Sequence, residues 1–154
     1  MKGLWLSSFF VLMALRVDGA VDLSGVHEPL KTVVENYLAV QQELAGDSFA
    51  GVPPAANAMK AAMTGPNAHF EADFTQAVAQ LAAAPDLHSA RVAFQSVSND
   101  LIAALAQNQV QTGELHVLFC PMVKAYWVQT DGKNVENPYY GSAMLDCGAF
   151  QRQF

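Results

Sequence analysis

Charge is scarce in this chain. Asp, Glu, Lys and Arg supply 14% of 154 residues, and the eight Lys and Arg are scattered singly. Nucleic-acid binding calls for a basic stripe interleaved with aromatics, and anionic lipid calls for clustered cations; the sequence has neither. A net charge of −6 favours solubility without specifying a partner. Also absent are a Gly-x-Ser-x-Gly elbow, a His-Glu-x-x-His helix and a glycine loop to cradle phosphate. No enzyme is expected on these grounds. Cysteine is almost missing too: the chain has two, Cys120 and Cys147, both in its last quarter.

Long hydrophobic runs are limited to the N-terminus. Lys2 precedes an apolar run at 4–15, followed by Val17-Asp18-Gly19-Ala20. A run of about a dozen residues is short for a membrane span, which needs about 20. A positive start, a short apolar centre and small residues at a cut site describe a secretory signal over 1–20. With no cysteine near the cut, a lipid anchor is not expected. The expectation is a periplasmic or secreted protein with no stable membrane anchor after cleavage.

What the chain does have is apolar residues, 52% of the total and much of it alanine, which favours closely spaced helices. Helical periodicity marks 28–45, with Leu30, Val33, Val34, Tyr37, Leu38 and Leu44 on one stripe. Gly51-Val52-Pro53-Pro54 reads as a breaker before a short helix at 55–63. A third helix reads over 67–84, and Asp86 is placed to cap a fourth that frays near 107–111. After Gly113 the texture changes. Residues 114–119 and 126–129 suit short strands, and Thr130-Asp131-Gly132-Lys133 suits a turn. The expected fold is mainly α: an antiparallel bundle of about four helices over 21–112. A small C-terminal β or irregular cap over 113–154 packs on it, giving one domain overall.

The cap carries the chemistry. Cys120-Pro121-Met122 opens it and Met144-Leu145-Asp146-Cys147-Gly148 nearly closes it. In an extended segment positions 120 and 122 share a side, and 144 and 147 share a face if their segment is turned. Thiolate and thioether sulfur select Cu(I), and Ag(I) shares that softness, so Cys120, Met122, Met144 and Cys147 form a candidate ligand set. His116, two alternations before Cys120, is a possible auxiliary ligand. Zinc fits less well, because no Cys or His partner has zinc-finger spacing.

The same two cysteines also read as one disulfide, the usual fate of a cysteine pair outside the cytosol. Closing a loop of this size contributes about 3–4 kcal/mol in the chain-entropy model. Disulfide sulfurs are poor metal ligands, so the two readings exclude each other for these atoms. Trp127, Tyr139 and Tyr140 read either as an aromatic recognition surface or as the filling of a small cap. Cys120 with His116 lacks the orienting group that a thiol nucleophile and base would need.

Cys120-Pro121-Met122, Trp127, Asn137-Pro138-Tyr139-Tyr140-Gly141, Met144 and Cys147-Gly148 resemble bacterial periplasmic domain-of-unknown-function family 3347. Arg91, Phe94, Ser98 and Leu101 look like that family's last helix, and the resemblance covers roughly 26–148. The family has Ala after Cys-Pro-Met and a glycine ahead of the Trp, whereas this chain has Val123 and Lys124-Ala125-Tyr126. Its members occur alone after a signal peptide, or attached to or encoded near adaptor subunits of copper and silver efflux systems. The resemblance therefore implies metal-linked periplasmic work with a metal-efflux adaptor subunit as partner. The alternative expectation is a disulfide-closed structural or interaction module without metal.

Overall fold

The computed structural model describes residues 21–154, so the expected secretory segment at 1–20 lies outside the described residues. The chain is mainly α with a small C-terminal β cap. Helix α1 (Leu30–Ala45) buries the whole apolar stripe read from its periodicity and ends where the Gly46 N–H turns back to the Gln42 carbonyl. Helix α2 (Val52–Met63) starts earlier than the breaker reading placed it. Pro53 and Pro54 sit in its first turn, where a missing N–H costs no intrahelical bond.

Helix α3 (Ala72–Ala82) is shorter than the expected 67–84, because the backbone is still extended at Glu71. Helix α4 (Leu87–Gln107) has the expected cap, with the Ser89 N–H donating to Asp86 Oδ1 at 2.7 Å. Each helix packs on the next in chain order.

The cap is a three-stranded antiparallel sheet of β1 (His116–Cys120), β2 (Ala125–Gln129) and β3 (Ala149–Gln153), in the order β2-β1-β3. Cys120 pairs with Ala125, which leaves residues 121–124 as a tight hairpin turn with Lys124 in the left-handed region at φ +56°. Strand β3 has no signal in the sequence pattern, since all five of its residues are exposed and no face alternates.

One apolar core runs from Leu23 through the helices into the sheet and reaches Phe154. Its largest fully buried side chain is Trp127. Tyr139 is buried beside it, ring edge against ring face at 6.1 Å. An aromatic recognition surface built on these two residues is therefore corrected. They are core, and only Tyr140 is partly exposed. The reason is apolar area: a three-stranded cap has too little of its own and borrows it by laying β2 against α4 and α1.

Hydroxyl groups satisfy the polar backbone at that seam. Tyr37 of α1 accepts the Val128 N–H at 3.0 Å and meets Ser98 of α4 at 2.7 Å. Tyr139 donates to the Tyr126 carbonyl.

Candidate dithiol site

The site has two limbs. The first is the end of β1 and the hairpin turn after it, which carry Cys120, Pro121 and Met122. The second is the loop from Asn137 to Gly148, with a single 3₁₀ turn at Gly141–Ala143, and it carries Met144 and Cys147.

Three groups of contacts hold the second limb. Asn137 is fully buried; its carboxamide donates to the Cys147 carbonyl at 2.5 Å and accepts from the Tyr139 N–H at 2.8 Å. The Asn137 N–H donates to the Leu145 carbonyl at 2.9 Å, so one residue ties both ends of the loop. Second, Gly148 lies against the Trp127 ring, so close that a Cβ would overlap its Cη2 atom.

The third is a clamp from the helices. Arg91 of α4 donates to the Leu44 carbonyl at 2.7 Å, the Pro138 carbonyl at 2.9 Å and Asp47 Oδ1 at 2.6 Å. Asp47 Oδ2 in turn accepts from the N–H and hydroxyl of Ser142. Gly141, at φ +54°, fits beneath this clamp because a side chain there would strike Asp47 and Arg91.

These restraints bring the two cysteines together, with Cys120 Sγ 3.8 Å from Cys147 Sγ and both present as free thiols. Cys120 is fully buried, and Cys147 is partly exposed. Met122 lies in the hairpin turn rather than in an extended strand, so the expected shared side of positions 120 and 122 is corrected; the residue is 58% exposed. Strand pairing reaches only to Cys120, and the chain reverses immediately after it. Met144 starts the turn that ends in Cys147, whose N–H donates to the Met144 carbonyl at 3.0 Å. Each thiol thus has one thioether near it in sequence on its own limb.

His116 lies apart. It occupies the far end of β1, opposite Gln129 and Gln153, with its ring edge-on to Phe150 at 6.0 Å. Four residue steps along the strand separate it from Cys120, roughly 13 Å. His27, His69 and His88 are exposed and take no part. Among the described residues, no three His, Cys, Asp or Glu side chains converge as a metal-holding group.

The electrostatics of the pair are asymmetric. Burial pulls the Cys120 thiol up, but the Val123 N–H, the Asn137 carboxamide, the Met122 N–H and the Cys147 thiol outweigh it and hold Cys120 below its ordinary value. Cys147 is pushed up, first by desolvation and then by its hydrogen bond and charge repulsion with Cys120. Of the two, Cys120 is the one whose anionic form its surroundings favour.

Sequence reasoning named Cys120, Cys147, Asn137 and Gly148 but gave Asp47, Ser142, Tyr37 and Ser98 no role at the site. Asp47 stands just past the end of α1, beside Gly46. Its partners lie 44 and 95 positions away, a pairing no local pattern reveals. Compared with protein-family models, with curated proteins and with solved structures, the chain matches none of them.

Proposed function

We propose that this is an exported soft-metal-binding accessory protein that captures Cu(I) or Ag(I) at Cys120 and Cys147, with Met122 and Met144 supplying thioether sulfur, and passes the ion to a metal-efflux adaptor subunit. The observation that carries this reading is the 3.8 Å between the two thiol sulfurs. Two sulfurs each about 2.3 Å from one ion at a near-tetrahedral angle lie about 3.8 Å apart, so the free protein already holds the pair at ligating separation. Two further features support it. Hydrogen-bond donors act on Cys120 and favour the anionic form that a metal needs. The sulfur residues that neighbour the pair in sequence, Met122 and Met144, are thioethers, which suit a soft monovalent ion and serve zinc poorly. His116 is left out of the ligand set because it stands at the other end of β1. The helical body, which we read as an antiparallel bundle, serves as the rigid support from which Arg91 and Asp47 hold the second limb.

The same separation also suits the disulfide reading, because a small rotation of either side chain would bring the sulfurs to bonding distance. That module would be closed through a 27-residue separation and would bind no metal. The deciding experiment counts free thiols in protein isolated from the exported compartment and titrates it with Cu(I) against a competing chelator. One equivalent bound, weakened by Met122→Leu or Met144→Leu and abolished by Cys120→Ser, supports the metal reading. A quantitative disulfide with no Cu(I) binding above a cassette-scrambled control overturns it.

A further inference from the structure

Burial divides the two sulfurs unequally, and the geometry therefore assigns them an order of reaction. Cys120 has no exposed surface: it ends the central strand of the sheet and lies beneath the second limb. Cys147 lies on that limb, partly exposed, in a non-strand stretch between the Gly141–Ala143 turn and β3. A reagent from solution meets Cys147 first and reaches Cys120 only through it.

We infer that the pair is a redox-gated release device, in which Cys147 takes the oxidant, Cys120 resolves it, and the disulfide so formed expels the bound ion. The inference rests on the metal reading for its cargo and on the thiol geometry alone for its chemistry. The oxidant is a small disulfide, RS–SR. Cys147 is the less acidic thiol of the pair but the accessible one: its sulfur, losing its proton, attacks one sulfur of RS–SR, forming a mixed disulfide and expelling RS⁻, which takes up that proton. The Cys120 sulfur, already 3.8 Å away, then attacks Cys147 Sγ, closes the Cys120–Cys147 bond and expels the second RS⁻, protonated in the same way. Two electrons pass from the cysteine pair to the oxidant, giving two RSH. In the Cu(I)-loaded protein both sulfurs start as thiolates, so the two RS⁻ take their protons from solvent, and the Cu(I) keeps its oxidation state while losing both thiolates. Two thiols returning in the reverse sequence restore the site.

Two features of the fold make the second step intramolecular and fast. Both limbs are held from two directions, by the pairing of β1 with β3 just after Cys147 and by the Arg91–Asp47–Ser142 clamp on the loop, so the resolving sulfur is held in place rather than searching for its target. Asn137 also ties the Cys147 carbonyl to the buried interior, which keeps the mixed-disulfide sulfur over Cys120.

The test begins with metal-free, reduced protein and oxidised glutathione, followed by acid quenching and mass spectrometry. Cys120→Ser should accumulate glutathione on Cys147, while Cys147→Ser should leave Cys120 at least tenfold less modified over the same interval. Should either variant misfold, a brief iodoacetamide pulse on the native protein gives the same information, with Cys147 alkylated before Cys120. Faster modification at Cys120, or equal rates, overturns the order. Cu(I)-loaded protein is then treated with oxidised glutathione beside a chromogenic Cu(I) chelator. Chelator colour rising in step with the disulfide supports the gating, and disulfide formation with the ion retained overturns it. If no Cu(I) binds at all, the metal reading fails and the release claim with it, while the order of thiol reaction stands or falls on the metal-free arm.

Discussion

A Cβ at Gly148 has nowhere to go except into the Trp127 ring, and that ring is packed on every side. Overpacking of this kind costs about 1–3 kcal/mol, so Gly148→Ala should lower the unfolding free energy measured in urea by that amount and loosen Cys147, its neighbour in the chain. Met122 is the opposite case. With the residue 58% exposed, Met122→Leu should change unfolding free energy by no more than about 0.5 kcal/mol. Its effect should fall on Cu(I) affinity, by at least the roughly tenfold that even an outer-shell partner of a metal is worth. Chelator competition and denaturant unfolding on the same two variants separate packing from ligation. A Met122→Leu protein that binds Cu(I) as tightly as the parent would remove that thioether from the site. Trp127 shows what the sequence conveyed at this scale. Its hydrophobic bulk marked it as filling or as a recognition surface, and only the fold shows which neighbour, Gly148, it covers.

Between elements, the seam of α1, α4 and β2 turns on the Tyr37 hydroxyl. Tyr37→Phe keeps the ring stacked on Phe94 at 4.6 Å but strips the buried Val128 N–H of its acceptor. An orphaned buried donor costs about 1–3 kcal/mol, which equilibrium unfolding would register, with far-UV circular dichroism unchanged.

The clamp makes a separate prediction in pH. Asp47 is held at about 2 from an ordinary 3.8, first by the Ser142 hydroxyl, then by Arg91 and the Ser142 N–H. A carboxylate depressed in the folded state contributes stability that is complete above its unfolded value and is lost as pH falls toward its folded one. The second limb should therefore loosen between about pH 4 and pH 2. Asp47→Asn should flatten that part of the stability profile. An unchanged profile would mean that the exposed clamp contributes little.

Helices were the legible elements: α1 and α4 follow their apolar stripes, and Asp86 caps as its position implied. The start of α2 was misread because prolines that break a helix interior fit its first turn. Strand β3 stayed invisible because it is held by backbone pairing to β1, with no buried face to write a pattern.

For the molecule as a whole, the paired thiols bear on global stability, because an ion that binds only the folded chain stabilises it by mass action. At free Cu(I) about a hundredfold above its dissociation constant, the gain is about 2.7 kcal/mol, visible as a raised melting temperature. If the pair is instead a disulfide, added Cu(I) should leave the melting temperature unmoved, and reduction should lower stability by about 3–4 kcal/mol. The candidate site was half legible at this scale. Spacing and residue type picked out the sulfurs, but their approach depends on long-range pairing of β1 with β3 and on a clamp between residues far apart in sequence.

The segment between Cys120 and Cys147 runs through β2 and the clamped second limb before the chain rejoins β1 as β3, so the sulfur pair closes the base of a stretch tied both to the sheet and to the helices. A pull on the C-terminus would peel β3 from β1 and then arrive at that base. With the sulfurs unjoined, the force would go on to extend the intervening chain, about 90 Å of contour at full stretch. With an ion or a bond across them, the base would lock and that length would stay hidden. The pair is therefore also a mechanical clasp, and its chemical state sets how far the molecule can be drawn out.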